Sequence, residues 1–94
     1  MSIEIADIVI SLNGRDEGKR FLVVGSTEEG YLMLADGKSR RIEKPKRKKD
    51  KHLEPEGKAD DQTASRLSGG EKVTNSEIRR ALAKYTAHRD EGGM

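Results

Sequence analysis

Three short apolar runs, each cut off by a glycine-containing turn, constrain what this chain can fold into more than any other feature. They occupy residues 3–12, 21–25 and 31–35 and contain Ile3, Ile5, Ile8, Val9, Ile10, Leu12, Phe21, Leu22, Val23, Val24, Tyr31, Leu32, Met33 and Leu34. Asn13-Gly14, Thr27 to Gly30 and Asp36-Gly37 separate or end them. The first two runs are rich in β-branched residues, and such runs between Asn-Gly and Asp-Gly pairs read as antiparallel strands joined by tight turns. Ser39 to Glu43 follows as an expected fourth strand, and His52-Leu53-Glu54, just before Pro55, as a short fifth. Strands this short and this close in sequence predict a small barrel rather than a flat sheet, because closure removes exposed edges. The expected class is mainly β.

Beyond residue 54 the pattern changes. Residues 55–72 hold only Ala59, Ala64 and Leu67 as apolar positions and are bracketed by Gly57 and Gly69-Gly70. Two readings stay open there: a polar linker, or a weak helix over 59–68 with Asp60 or Asp61 near its start. Residues 73–91 read as an amphipathic helix. Thr74-Asn75-Ser76-Glu77 fits a capping box, and Val73 with Ile78 fits a hydrophobic staple. Ile78, Ala81, Leu82 and Tyr85 form its apolar stripe, and Gly92-Gly93 can end it. The stripe either completes the protein's own core or docks on a partner.

Composition narrows the function. In 94 residues, 32% are hydrophobic and 38% charged, so the core is small. Without cysteine there is no disulfide and no cysteine-based metal site. No apolar run is long enough to span a membrane, and MSIEIADI does not read as a signal peptide, so a cytoplasmic location is the expectation; a monomer is expected separately. Charge is strongly segregated. Residues 38–52, KSRRIEKPKRKKDKH, carry nine Lys/Arg and two carboxylates, a net +7, whereas residues 1–37 carry −4 and 53–94 carry −1. A positive block of this kind in an otherwise acidic chain points to a polyanionic partner, and nucleic acid is the commonest.

The segment from Ile8 to Val24, IVISLNGRDEGKRFLVV, places Arg15, Lys19 and Arg20 at or beside a turn whose Gly14 and Gly18 permit positive φ. On its own it is either a decorated hairpin or a contact loop. Its order of residues, apolar–x–apolar followed by Gly14-Arg15-Asp16-Glu17-Gly18-Lys19 and another apolar run, resembles a KOW motif. Tyr31 to Gly37, Arg41, Pro45-Lys46, Lys51-His52-Leu53 and the later VTNSEIRRAL extend the resemblance to small bacterial KOW-domain RNA-binding proteins. These are similar to a group of archaeal and eukaryotic large-subunit ribosomal proteins. The resemblance implies an SH3-like β-barrel over residues 1–54, a ribosome-associated role in translation, and binding to structured RNA such as ribosomal RNA. It departs from the family at Ala6-Asp7, where a glycine often enters the first strand, and at Glu17, where many such loops have lysine.

The expected RNA-binding residues are Arg15, Lys19 and Arg20 on the loop, with Lys38, Arg40, Arg41, Lys44, Lys46, Arg47, Lys48, Lys49, Lys51 and His52 on the basic block. Pro45 argues against a helix there, so Lys46 to Lys51 is expected as an extended arm or long loop beside the barrel, not ordered in the free protein. Phosphate contacts would dominate affinity. Arginines can fork onto phosphate while lysines act as point charges. Only three aromatic residues occur, and Phe21 and Tyr31 sit in apolar runs, which disfavours a single-strand stacking platform. Catalysis has little to build on. His52 and His88 have no neighbouring nucleophile or paired carboxylate, Asp60-Asp61 read as helix-start residues, and Ser68-Gly69-Gly70-Glu71-Lys72 lacks phosphate-loop spacing. The expectation is a non-enzyme without metal or cofactor, with RNA and ribosomal proteins as partners. The alternative is a protein-interaction module acting in transcription or translation through its C-terminal helix.

Overall fold

Five antiparallel strands form a meander that returns to its own beginning. In this computed structural model, which describes residues 2–92, the strands are β1 (Asp7–Ser11), β2 (Arg20–Ser26), β3 (Tyr31–Ala35), β4 (Lys46–Lys49) and β5 (Leu53–Lys58). Helices α1 (Asp61–Ser68) and α2 (Asn75–Gly92) follow. The sheet order is β4-β3-β2-β1-β5, so β1 lies between the second strand and the last. A single 3-10 turn, Asp50–His52, joins the two edge strands β4 and β5. Among the described residues no ladder links those edges, so the sheet is open where a barrel was expected.

Alternation along the strands divides the apolar residues between two faces. Ala6, Ile8, Leu22 and Ala35 join Ala59, Leu67, Val73 and Ile78 in a core covered by the helices. Val9, Phe21, Val23, Leu32, Leu34 and Leu53 form a second core on the other face. The helices are fixed by their own sequences. The Asp60 carboxylate caps α1 by accepting from the Thr63 N–H at 3.3 Å and hydroxyl at 2.9 Å. The expected capping box opens α2: the Thr74 N–H donates to Glu77 Oε1 at 3.0 Å, and the Glu77 N–H to Thr74 Oγ1 at 3.2 Å. Val73 and Ile78 are both buried in the helix-side core, as a staple requires. Ala81 is buried, and Leu82 and Tyr85 pack on that same core, so the stripe covers the protein's own sheet rather than standing free. Of the expected terminating pair, Gly92 is the last helical residue and Gly93 lies outside the described residues.

Three expectations need correction. Ser39 to Glu43 is not a strand. The Asp36 carboxylate accepts from the Lys38 and Arg40 N–H groups, each at 2.8 Å, and from the Ser39 hydroxyl at 3.0 Å. The Asn75 amide oxygen accepts from the Ile42 N–H at 2.7 Å. Backbone donors engaged by side chains in this way are lost to a ladder. Lys46 to Lys51 is not a free arm, because β4 pairs with β3 from Tyr31↔Lys49 to Leu34↔Lys46 and the 3-10 turn follows at once. The fifth strand is longer than His52–Glu54. It runs through Pro55, which an edge position tolerates because an outward-facing nitrogen needs no partner. Of the two readings open for residues 55–72, the helix is the one present, as α1 after the end of β5.

One backbone feature lies where the sequence departs from the resembled family. Ala6 has φ of +77° and is the only non-glycine residue with positive φ among those described. Its N–H donates to Val23 O at 2.8 Å, and its carbonyl accepts from Ala59 N at 2.9 Å, which holds the left-handed conformation in place.

Candidate nucleic-acid interface

The β1–β2 loop is closed by its own backbone. The Ser11 N–H donates to Lys19 O at 3.0 Å and the Gly18 N–H to Ser11 O at 2.8 Å, with Gly14 and Gly18 at φ of +78° and +84°. Within this turn Asp16 points inward and is 5% exposed. Its carboxylate accepts a hydrogen bond from Lys46 Nζ. Arg40 Nη2 stands 3.8 Å away and Lys19 Nζ 3.7 Å away. The hydrogen bond from Lys46 holds the Asp16 carboxyl below its usual range against the opposing effect of burial, helped by the charges of Lys46, Arg40 and Lys19.

Strand β4 presents its four basic residues to two sides. Lys46 and Lys48 lie opposite Leu34 and Leu32, on the inner face of the second core. Lys48 Nζ hydrogen-bonds Ser11 Oγ and donates to Asn13 O at 2.8 Å. Burial, and next to it the charge of Lys46, push the Lys48 amine below its ordinary pKa. Arg47 and Lys49 lie on the other side, 5.3 and 5.4 Å from the centre of the Tyr31 ring. The half-buried Tyr31 ring is thus already engaged by two cations, while Phe21 is fully buried and offers no ring face for base stacking.

The other expected residues divide clearly. Arg15, Lys38, Arg41, Lys44 and Lys51 are exposed. Among the described residues Arg41 meets only Glu43, at 3.4 Å, and the side chains of Arg15, Lys38, Lys44 and Lys51 have no ion pair. His52 Nδ1 sits 2.8 Å from the Asn13 amide, tying the 3-10 turn to the loop. Arg20 faces away from the cluster. It binds Glu56 through Nε at 3.0 Å and Nη2 at 2.9 Å, reaches Thr86 Oγ1 at 3.1 Å, and lies 5.5 Å from the Tyr85 ring centre. The Glu56 carbonyl accepts from the Tyr85 hydroxyl at 3.0 Å, beside the register shift between β1 and β5. Arg20 therefore locks sheet to helix.

Loop and basic block are thus brought together at one corner of the sheet, with Gly14, Lys19, Arg40, Lys46 and Lys48 around Asp16, Ser11 and Asn13. Sequence reasoning missed Asp16 as the centre of that corner. Its signal was the carboxylate pair Asp16-Glu17 bounded by two glycines in a basic turn. It also missed Asn75, which ties the start of α2 to Ile42 and, at 2.8 Å, to the Glu43 carboxylate.

A groove of about 700 Å³ adjoins the corner, lined by Lys19, Arg20, Lys38 and Arg79 over Leu82 and Ala83. Among the described residues no group of three or more His, Cys, Asp or Glu is placed to hold a metal ion, and no helix is long and apolar enough to cross a membrane. The arrangement is suited to holding anions: cations at several depths, one buried carboxylate, and a backbone turn close to the surface. Compared with known families and curated proteins, the chain matches no family model and no curated sequence.

Proposed function

We propose that this chain is a non-catalytic RNA-binding protein of the KOW type, its five strands an incompletely closed SH3-like barrel, and that it binds structured RNA, ribosomal RNA foremost, through phosphate contacts. The observation that carries this reading is the junction of the glycine-bounded loop with the basic strand, where Lys48 Nζ reaches Asn13 O at 2.8 Å and Lys46 reaches Asp16. Two segments about 30 residues apart in sequence, each rich in Lys and Arg, meet in one cationic surface. Two further features support the KOW resemblance. The meander places β1 beside the last strand and joins the edges through one 3-10 turn, an arrangement that a small barrel needs. Ala6 adopts positive φ where the resembled family often carries glycine. The capped Tyr31 and the scarcity of aromatics favour recognition of RNA shape and backbone over base stacking.

Filter binding of the full chain to ribosomal RNA across a salt series tests the reading. Six phosphate contacts would give a slope of log affinity on log salt of about −4 to −5. Neutralising the exposed pair Arg47 and Lys49 should flatten it by about 1.4 to 1.8. Retention that ignores salt would sink the reading. Co-sedimentation of a tagged chain with the large ribosomal subunit on a sucrose gradient tests the ribosomal assignment separately.

A further inference from the structure

We propose that Asp16 is a positioning residue that gathers Lys19, Arg40 and Lys46 into a site for backbone phosphates of RNA; the proposal rests on the RNA reading above. Three cations from three separate segments converge on this one carboxylate: the β1–β2 loop, the β3–β4 loop and β4. Like charges brought this close repel one another unless an anion sits between them. Asp16 supplies that anion from beneath. Its side chain is 7% exposed, whereas those of Lys19, Arg40 and Lys46 are 54%, 41% and 22% exposed. An approaching polyanion therefore meets the cations and not the carboxylate.

The cluster keeps an excess of two positive charges, and each lysine keeps donors that one carboxylate cannot use up. Lys48, fixed on Ser11 and Asn13, extends it along β4. Long cationic side chains held in place before binding lose less rotamer freedom when phosphate arrives. The neighbouring acid Glu17 has none of these partners and is exposed on the same loop. Two adjacent carboxylates thus have opposite roles: Asp16 assembles the site, while Glu17 only repels the ligand.

The test is filter binding of ribosomal RNA by the full chain, comparing Asp16→Asn with Glu17→Gln across salt, at a temperature where circular dichroism shows both folded. Simple charge counting makes both substitutions tighten binding alike. The expected result is that Glu17→Gln tightens binding about two- to threefold, as for loss of one exposed like charge. Asp16→Asn is expected to weaken it roughly tenfold and to flatten the salt slope by about 1.4 to 1.8, the equivalent of two phosphate contacts. Loss of folding alone would leave the slope of the folded fraction unchanged. Should Asp16→Asn not fold, Arg40→Gln and Lys46→Gln are compared with Lys44→Gln and Lys51→Gln, whose side chains do not touch the cluster. The clamped cations are expected to cost severalfold more affinity despite their lower exposure. Tighter binding by Asp16→Asn with a full slope, or equal costs for clamped and unclamped cations, overturns the positioning role while leaving RNA binding intact. Salt-independent retention by the unaltered chain overturns both.

Discussion

The two faces of the sheet are covered in different ways. On one, α1 and α2 lie over Ile8, Leu22 and Ala35, and their caps, staple and buried Ile78 read as ordinary helix-on-sheet packing. On the other, Val9, Phe21, Val23, Leu32, Leu34 and Leu53 pack together with no helix above them among the described residues, and the lysines of β4 stand at the margin of the core. The helix-covered face is closed by apolar contact, and the other is finished by charge: Lys46 on Asp16, Lys48 on Ser11 and Asn13. On the RNA-binding reading proposed above, substitutions on the first face would change stability alone, whereas those at the margin of the second would change stability and binding together.

The largest expected effects test whether the two cores carry equal weight. Phe21→Ala should cost about 3–5 kcal/mol and Ile78→Ala about 2–5 kcal/mol, read from denaturant midpoints. A loss well below that at Phe21 would mean that the second face is loosely packed. Next comes Gly37, at φ of +79°, where a Cβ would lie 2.5 Å from Asn75 O and 2.8 Å from Arg79 Cγ. Gly37→Ala should cost at least about 2 kcal/mol, from left-handed backbone strain and displacement of the start of α2. An unchanged melting temperature would show that helix and loop are not coupled there.

Smaller, and specific to the charged margin, is Asp16→Asn, expected to cost about 1.5–3 kcal/mol at neutral pH. Because the Asp16 carboxyl is held below its ordinary value of 3.8, its contribution is complete above that pH and is lost as pH falls through the lower folded-state value. The melting curves of the two proteins should thus converge in strong acid, and a constant gap would remove the charge from the explanation. The smallest effect is at Ala6. Relief of its left-handed strain offsets the lost methyl, so Ala6→Gly should stay within about 1 kcal/mol of the unaltered chain. Ala35→Gly, equally small but inside β3, should cost more than about 1 kcal/mol by thermal melt.

Much of the helix-covered face was legible because its signals are local. The β-branched runs flank turn residues, and the Thr74–Glu77 box and the Val73/Ile78 pair lie within one helical turn. The other face depends on distant pairings. Lysine has little preference for strands, and nothing within KRKK announces that it will pair with Tyr31 to Leu34. Ser39 to Glu43 looked extended because the two side chains that hold it, Asp36 and Asn75, lie outside it and one of them 33 residues away from Ile42. Loop and block were identified as cationic from composition, but their meeting point was not. Composition counts Asp16 as a charge to subtract, and only the fold turns it inward. Arg20, counted with the loop, is committed instead to Glu56 and Thr86.

The open edge of β4 has a consequence for how the protein behaves in bulk. An unpaired strand offers a row of backbone donors and acceptors to any other strand, including that of a second copy. Here the edge is Lys46-Arg47-Lys48-Lys49, so two such edges repel each other before their backbones can pair. Colloidal stability therefore limits how many of these cations can be exchanged for neutral residues: a strand stripped of charge becomes a template for aggregation.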